Sequence, residues 1–213
     1  MNSLPVNTFK QALNARKTLV GLCCNLATLP TTEIAATAGF DWLLLNMEHS
    51  PTDLVTIGGM LLAVRNTPTH AVVRVPSNDM TVIKRALDTG VARANDEIAL
   101  VLQIETPEAV DDLDAICRTP GVDAVFIGPS DLSASYGRRS AANGPEMQAI
   151  ISKAIGVANV ANKAVGILST DGGAAKYFEQ GATLVSVATD IHLFVRACDE
   201  LSAKFAPWRE KKA

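Results

Sequence analysis

Four side chains of the kinds that make and break bonds stand at the ends of apolar runs in this 213-residue chain. His49 follows Asp-Trp-Leu-Leu-Leu-Asn at 41–46, Arg74 closes Ala71-Val72-Val73, Glu105 ends the run from Ile98, and Asp131 comes just past Val125-Phe126-Ile127-Gly128-Pro129-Ser130. Two carboxylates are hard oxygen donors, and Mg²⁺ or Mn²⁺ typically binds through one or two of them plus water and substrate oxygens. An imidazole suits a general base because its ordinary titration lies near neutrality. A guanidinium at the end of an apolar strand is costly unless it meets an anion; a carboxylate or an enolate oxygen would satisfy it. Each of three residues also has a plainer reading. Asp131 could cap a helix opening at Leu132, Glu105 could cap one ahead of Thr106-Pro107, and Arg74 could pair with Glu48. The shared placement of all four favours chemistry.

The elements that would hold them alternate along the chain. Apolar runs at 19–26, 41–46, 71–74, 98–105, 124–127, 164–168 and 184–188 read as strands. Helices are expected at 7–16, from Thr31 with a hydroxyl cap, at 51–66 with Pro51 near the first turn, at 80–87, from Pro107, and at 145–162. Continuous apolar strands separated by helices predict a parallel sheet covered on both faces. In a parallel barrel the C-terminal strand ends converge, so these distant residues would meet there. Gly39, Gly121 and Gly181 each precede a strand and predict left-handed helix ends, a weak internal repeat. A fourth copy, Thr89-Gly90-Val91-Ala92, runs into the polar Arg93-Ala94-Asn95-Asp96-Glu97 where a strand should stand. The expectation is one α/β domain over residues 1–213, a (β/α)₈ TIM barrel with one β/α unit missing after Ala92.

Composition narrows the partners. A net charge of -3 gives no electrostatic case for nucleic acid or an anionic membrane, and no apolar run reaches a membrane span. The opening Met-Asn-Ser-Leu-Pro-Val-Asn lacks signal-peptide features, and the four cysteines show neither CxxC nor Cys/His metal spacing. A cytoplasmic protein is expected.

Gly39-Phe40-Asp41-Trp42-Leu43-Leu44 running into Glu48-His49, Gln103-Ile104-Glu105-Thr106, and Phe126-Ile127-Gly128-Pro129-Ser130-Asp131-Leu132-Ser133 resemble the HpcH/HpaI family of metal-dependent pyruvate aldolases. Pro76-Ser77-Asn78-Asp79, Leu87-Asp88 and Gly90 fit the same pattern. The resemblance implies a (β/α)₈ barrel that assembles as a homo-oligomer, commonly a hexamer built as a trimer of dimers. It implies cleavage of a 4-hydroxy-2-oxo acid to pyruvate and an aldehyde, with Mg²⁺ or Mn²⁺, or else Co²⁺, as cofactor. The metal ligands would be Glu105 and Asp131, the base His49, and the pyruvate-holding group Arg74, with Gln103 lining the site. Main-chain groups around Gly128, Ser130 and Asp131 would take the pyruvate carboxylate, and Asp88 would reach a neighbouring subunit's site.

Three departures from the family accompany the likeness. Asn46 replaces an aspartate paired with the histidine, Cys23 replaces a frequent tryptophan, and roughly forty to fifty residues are missing after Ala92. Either a segment has been left out between Ala92 and Arg93, or the polypeptide lacks it. The first is favoured, because a barrel without one strand exposes two unpaired edges. A Cα separation above about 3.8 Å between Ala92 and Arg93 would reveal the omission. The competing readings are a CoA-thioester lyase of the wider citrate and malyl-CoA lyase group, and a catalytically impaired barrel kept for binding or assembly.

Overall fold

Each apolar run becomes a strand, and the strands pair in parallel: β1 (Leu19–Cys24), β2 (Trp42–Asn46), β3 (His70–Arg74), β4 (Val101–Ile104), β5 (Ala124–Ile127), β6 (Ala164–Leu168) and β7 (Leu184–Thr189). The computed structural model describes residues 6–90, 97–139, 141–170 and 172–210. Among these, the strands make one sheet in the order β3-β2-β1-β7-β6-β5-β4. The first and last strands of the chain are neighbours, while β3 and β4 stand at the two ends of the order.

Two contacts prove that the sheet curls. Trp42 of β2 meets Phe126 of β5 edge to face, ring centres 6.0 Å apart, although four strand steps would separate them by about 19 Å in a flat sheet. Arg74, closing β3, donates from Nη1 to Gln103 Oε1 of β4 over 3.1 Å, across what would be about 29 Å if flat. The fold is thus an all-parallel seven-stranded half-barrel whose open seam lies between β3 and β4.

Alternation along the strands sorts the core into layers. Leu19, Cys23, Trp42, Leu44, Phe126 and Leu184 point inward, and Phe9 and Leu13 of α1 (Thr8–Asn14) plug the N-terminal end. Gly21 makes room for Trp42, since a Cβ there would come within 2.1 Å of the indole. Leu22, Cys24, Leu43 and Leu45 point outward beneath α2 (Leu29–Thr37) and α3 (Leu54–Val64). On the other side Val125, Ile127, Val165, Ile167 and Val185 pack under α8 (Pro145–Val160) and its neighbours. Strands β2 and β5 are buried throughout. Strand β3 is half-buried along its length and β4 over all but Ile104, the signature of edges.

Helices begin as expected at Met80, Pro107 and Pro145, while the starts of α2 and α3 differ for reasons of capping. Thr28, not Thr31, caps α2, because Pro30 is harmless in a first turn and lets the helix begin earlier. Asp53 caps α3, so Pro51 stays outside it. The expected left-handed glycines hold: Gly39, Gly121 and Gly181 have φ of 93°, 90° and 94°. Helix α4 (Met80–Gly90) continues past 87; residues 91–96, and with them the Ala92–Arg93 spacing, lie outside the described residues. No described helix is long and apolar enough to cross a membrane.

Candidate active site

All four chemistry-bearing residues arrive at the C-terminal end of the half-barrel. His49, Arg74, Glu105 and Asp131 line one cavity of about 250 Å³, together with Gly128 and Ser130. The turn after β5 makes this meeting close. Gly128 caps α7 (Pro129–Ser135), with Pro129 in its first turn, so Asp131 sits inside the helix and is not its cap. A Cβ at Gly128 would fall 2.2 Å from Glu105 Oε1, so only glycine lets the neighbouring strand bring its carboxylate in.

The polar groups form a chain of contacts around the cavity. His49 Nε2 lies 3.4 Å from Asp131 Oδ2 and 3.9 Å from Glu48 Oε2. Arg74 donates from Nε to Asn46 Oδ1 (2.9 Å), pairs with Glu48 (3.2 Å), and donates from Nη1 to Gln103 Oε1. Gln103 in turn donates to Glu105 Oε1 at 3.0 Å, so it bridges the guanidinium and the carboxylate. Nη2 of Arg74 is left without a partner among the described residues, on a side chain that lines the cavity. Arg74 is thus paired with Glu48, as its plainer reading had it, and makes no hydrogen bond from Nη2 to a described residue.

Electrostatics marks the carboxylates as short of positive charge. Burial, then the charges of Asp131 and Glu48, push Glu105 up to about 7. A divalent cation between Glu105 and Asp131 would relieve that repulsion, and two hard oxygens facing a cavity fit such an ion. No cluster of three or more His, Cys, Asp or Glu able to hold a metal occurs among the described residues. An ion here would therefore complete its shell from water and substrate.

Asn46 behaves differently from the expected partner of an imidazole. Fully buried, it accepts at Oδ1 from the main-chain N–H groups of Glu48 (3.0 Å) and His49 (3.3 Å) as well as from Arg74. It holds the backbone of His49, while the ring faces Asp131. Asp88 is exposed on α4 and does not line the cavity. Sequence reasoning missed Asn25, which follows β1, lines the cavity and accepts from Asn46, and Asp190, which follows β7 and accepts from the Asn25 N–H. The strand-end rule that selected the others would have found both.

The chain is similar to known proteins over most of its length. The family model for HpcH/HpaI aldolase/citrate lyase matches residues 20–93 and 88–197, two stretches that meet at the end of α4. A pyruvate aldolase of Rhizobium etli is 39% identical over 251 residues, covering 95% of this chain and 99% of its own. A hydroxypyruvate/pyruvate aldolase of Pseudomonas aeruginosa is 37% identical over 251 residues, covering 95% of this chain and 94% of its own. The solved structure of an HpcH/HpaI aldolase/citrate lyase family protein from Burkholderia cenocepacia superposes with a TM-score of 0.89 at 29% identity, covering 93% of this chain and 99% of its own.

Proposed function

The chain belongs to the HpcH/HpaI aldolase/citrate lyase family, and we propose that it is an aldolase cleaving a 4-hydroxy-2-oxo acid to pyruvate and an aldehyde. The carrying observation is the convergence of His49, Arg74, Glu105 and Asp131 on one cavity. The relatives named as pyruvate aldolases support the pyruvate half of the reading. Nothing in the site favours a thioester lyase, and a merely structural barrel would have no use for the four residues.

Glu105 and Asp131 would hold the cation, Mg²⁺ or Mn²⁺ being the expected ions and Co²⁺ a third; bound there, it supplies Lewis-acid polarisation of the 2-oxo group. The free Nη2 of Arg74 donates to the oxygen on which negative charge grows as the C3–C4 bond breaks. His49 takes the C4 hydroxyl proton, directly or through water. The pyruvate carboxylate falls to the N–H groups of Ser130 and Asp131, first-turn donors of α7 with no acceptor inside the helix. Beside the cavity a second hollow of about 500 Å³, sharing Ser130 and Asp131, gives room for the aldehyde half.

The open seam belongs to the same reading. The alignment with the Rhizobium relative runs over 251 residues against 213 here, the family match splits at the end of α4, and the sheet is open between β3 and β4. All three support a (β/α)₈ barrel that lacks its fourth β/α unit. The four free cysteines agree with a cytoplasmic, reducing setting. The exposed apolar residues of α10 (Asp190–Lys204) support assembly as a homo-oligomer, for which the hexamer, with Asp88 near a neighbour's site, is the expected form.

Deuterium exchange at the pyruvate methyl group, followed by NMR, tests the reading without needing the aldehyde. Exchange with Mn²⁺ or Mg²⁺ should vanish with EDTA and in Glu105→Ala. A folded, metal-loaded protein that exchanges no deuterium would leave the impaired-barrel reading in its place.

A further inference from the structure

From β7 to Arg74 runs a set of linked polar groups, of which Asn25 and Cys23 themselves line the cavity. Asp190, 8% exposed, accepts at Oδ1 from the N–H of Asn25 (2.8 Å) and at Oδ2 from that of Leu26 (3.0 Å), which fixes the turn after β1. Asn25 Oδ1 then accepts from Asn46 Nδ2 at 2.7 Å and from the Cys23 thiol at 3.2 Å. Burial pushes that thiol up to about 11, so at neutral pH it remains a donor. Asn46 is 0% exposed, and its oxygen is already taken by Arg74 and the N–H groups of Glu48 and His49. Its NH₂ therefore needs an acceptor within the protein, and among the described residues Asn25 supplies it.

We infer that Asn25 is a positioning residue: by accepting from the Asn46 carboxamide it keeps the Asn46 oxygen on Arg74 and on the His49 backbone, a role that exists only while residue 46 is asparagine. An aspartate in its place would keep one oxygen for Arg74 and the two N–H groups. Its other oxygen would replace Nδ2 and face Asn25 Oδ1, acceptor against acceptor. Asn25 would then have no donor to receive from residue 46, and its amide would have to turn. The inference rests on the aldolase reading, which makes the placement of Arg74 and His49 matter.

A double-mutant cycle tests it, with Asn25→Ala and Asn46→Asp singly and together and Asn25→Asp as the conservative variant in both backgrounds. Metal-dependent pyruvate exchange gives kcat and KM, and thermal unfolding is measured alongside. Asn25→Ala should lower kcat by about tenfold or more with Asn46 present, moving KM far less, the usual scale for removing a supporting partner. In the Asn46→Asp background a turned Asn25 amide can still pair, so the separating change there is Asn25→Asp, which should cost about tenfold or more because two carboxylate oxygens would face each other. With Asn46 present, Asn25→Asp retains an acceptor and should restore kcat. Equal losses from Asn25→Asp in both backgrounds, or no rescue by it with Asn46 present, would overturn the inference and leave Asn25 a packing residue. A wild-type protein that exchanges nothing removes the aldolase reading instead. The unfolding midpoints then decide the pairing alone: a drop caused by Asn25→Asp only in the Asn46→Asp background supports it, and equal drops in both refute it.

Discussion

Glu105 shows how one carboxyl group can report on a site. Held up at about 7 by burial and by Asp131 and Glu48, it favours its neutral form in the metal-free protein well above the usual carboxylate range. The sign for stability follows. A folded-state value above the unfolded one means that metal-free stability declines as pH rises from the ordinary glutamate range through about 7, and a bound cation reverses that. Binding of Mn²⁺ should accordingly release a proton: roughly three-quarters of one per site at pH 6.5 and about a tenth at pH 8. Calorimetry in buffers of differing ionisation enthalpy measures the release, and an equal count at both pH values would show that Glu105 is not displaced by metal. The candidate reactive residues were legible in the sequence because charged side chains are costly at the ends of buried strands. Their supports were passed over: Asn25 and Asp190 stand just past strands as well, but what they hold, Asn46 and the turn after β1, is fixed only by the fold, and Asn46 was expected on the imidazole but holds the backbone of His49.

Strands and helices repeat one device, an apolar strand that delivers a polar residue just past its last buried position. That is why strands at 124–127 and 164–168 could be read to the residue, as could the helix starts at Met80, Pro107 and Pro145, while the starts of α2 and α3 could not. Several hydroxyls and carboxylates compete to take the first free N–H groups, and Thr28 and Asp53 win over Thr31 and Pro51. Helix α10 departs from the device. Its residues from Ile191 onward are exposed, including Phe194 (62%) and Leu201 (59%) seven residues apart, with Phe205 and Trp208 beyond. A helix with such side chains in water is a poor end state for a folded chain, and a second copy is the occupant this reading assigns. Wild-type protein should sediment as an oligomer, and Phe194→Asp with Leu201→Asp should shift it toward the monomer. A monomeric wild type, or an unchanged assembly in the double variant, would take α10 out of the interface.

For the molecule as a whole, the consequential feature is the seam. Two parallel strands face one another with no strand between them among the described residues, and both are half-buried where the other strands of the sheet are mostly buried. Parallel edges of this kind are normally covered, because each leaves a row of unpaired N–H and C=O groups and part of an apolar interior open to water. Arg74 reaching Gln103 ties the edges at the catalytic end, and the packing of α1 closes the other end, but neither supplies a ladder. If the seam marks a missing fourth unit, replacing residues 91–96 with the corresponding segment of the Rhizobium relative should pair both edges at once. Even about 3 kcal/mol gained would raise the unfolding midpoint by roughly 6–12 °C for a chain of this size. Amide hydrogen exchange is the sharper readout, since a global gain could come from elsewhere. Protection should appear in β3 and β4 specifically, with β1 and β6 changed only by the overall stability increment. Slow exchange already present at both edges before the graft would mean that something else covers them, a neighbouring copy being the first candidate, and that the half-barrel is complete as an assembly.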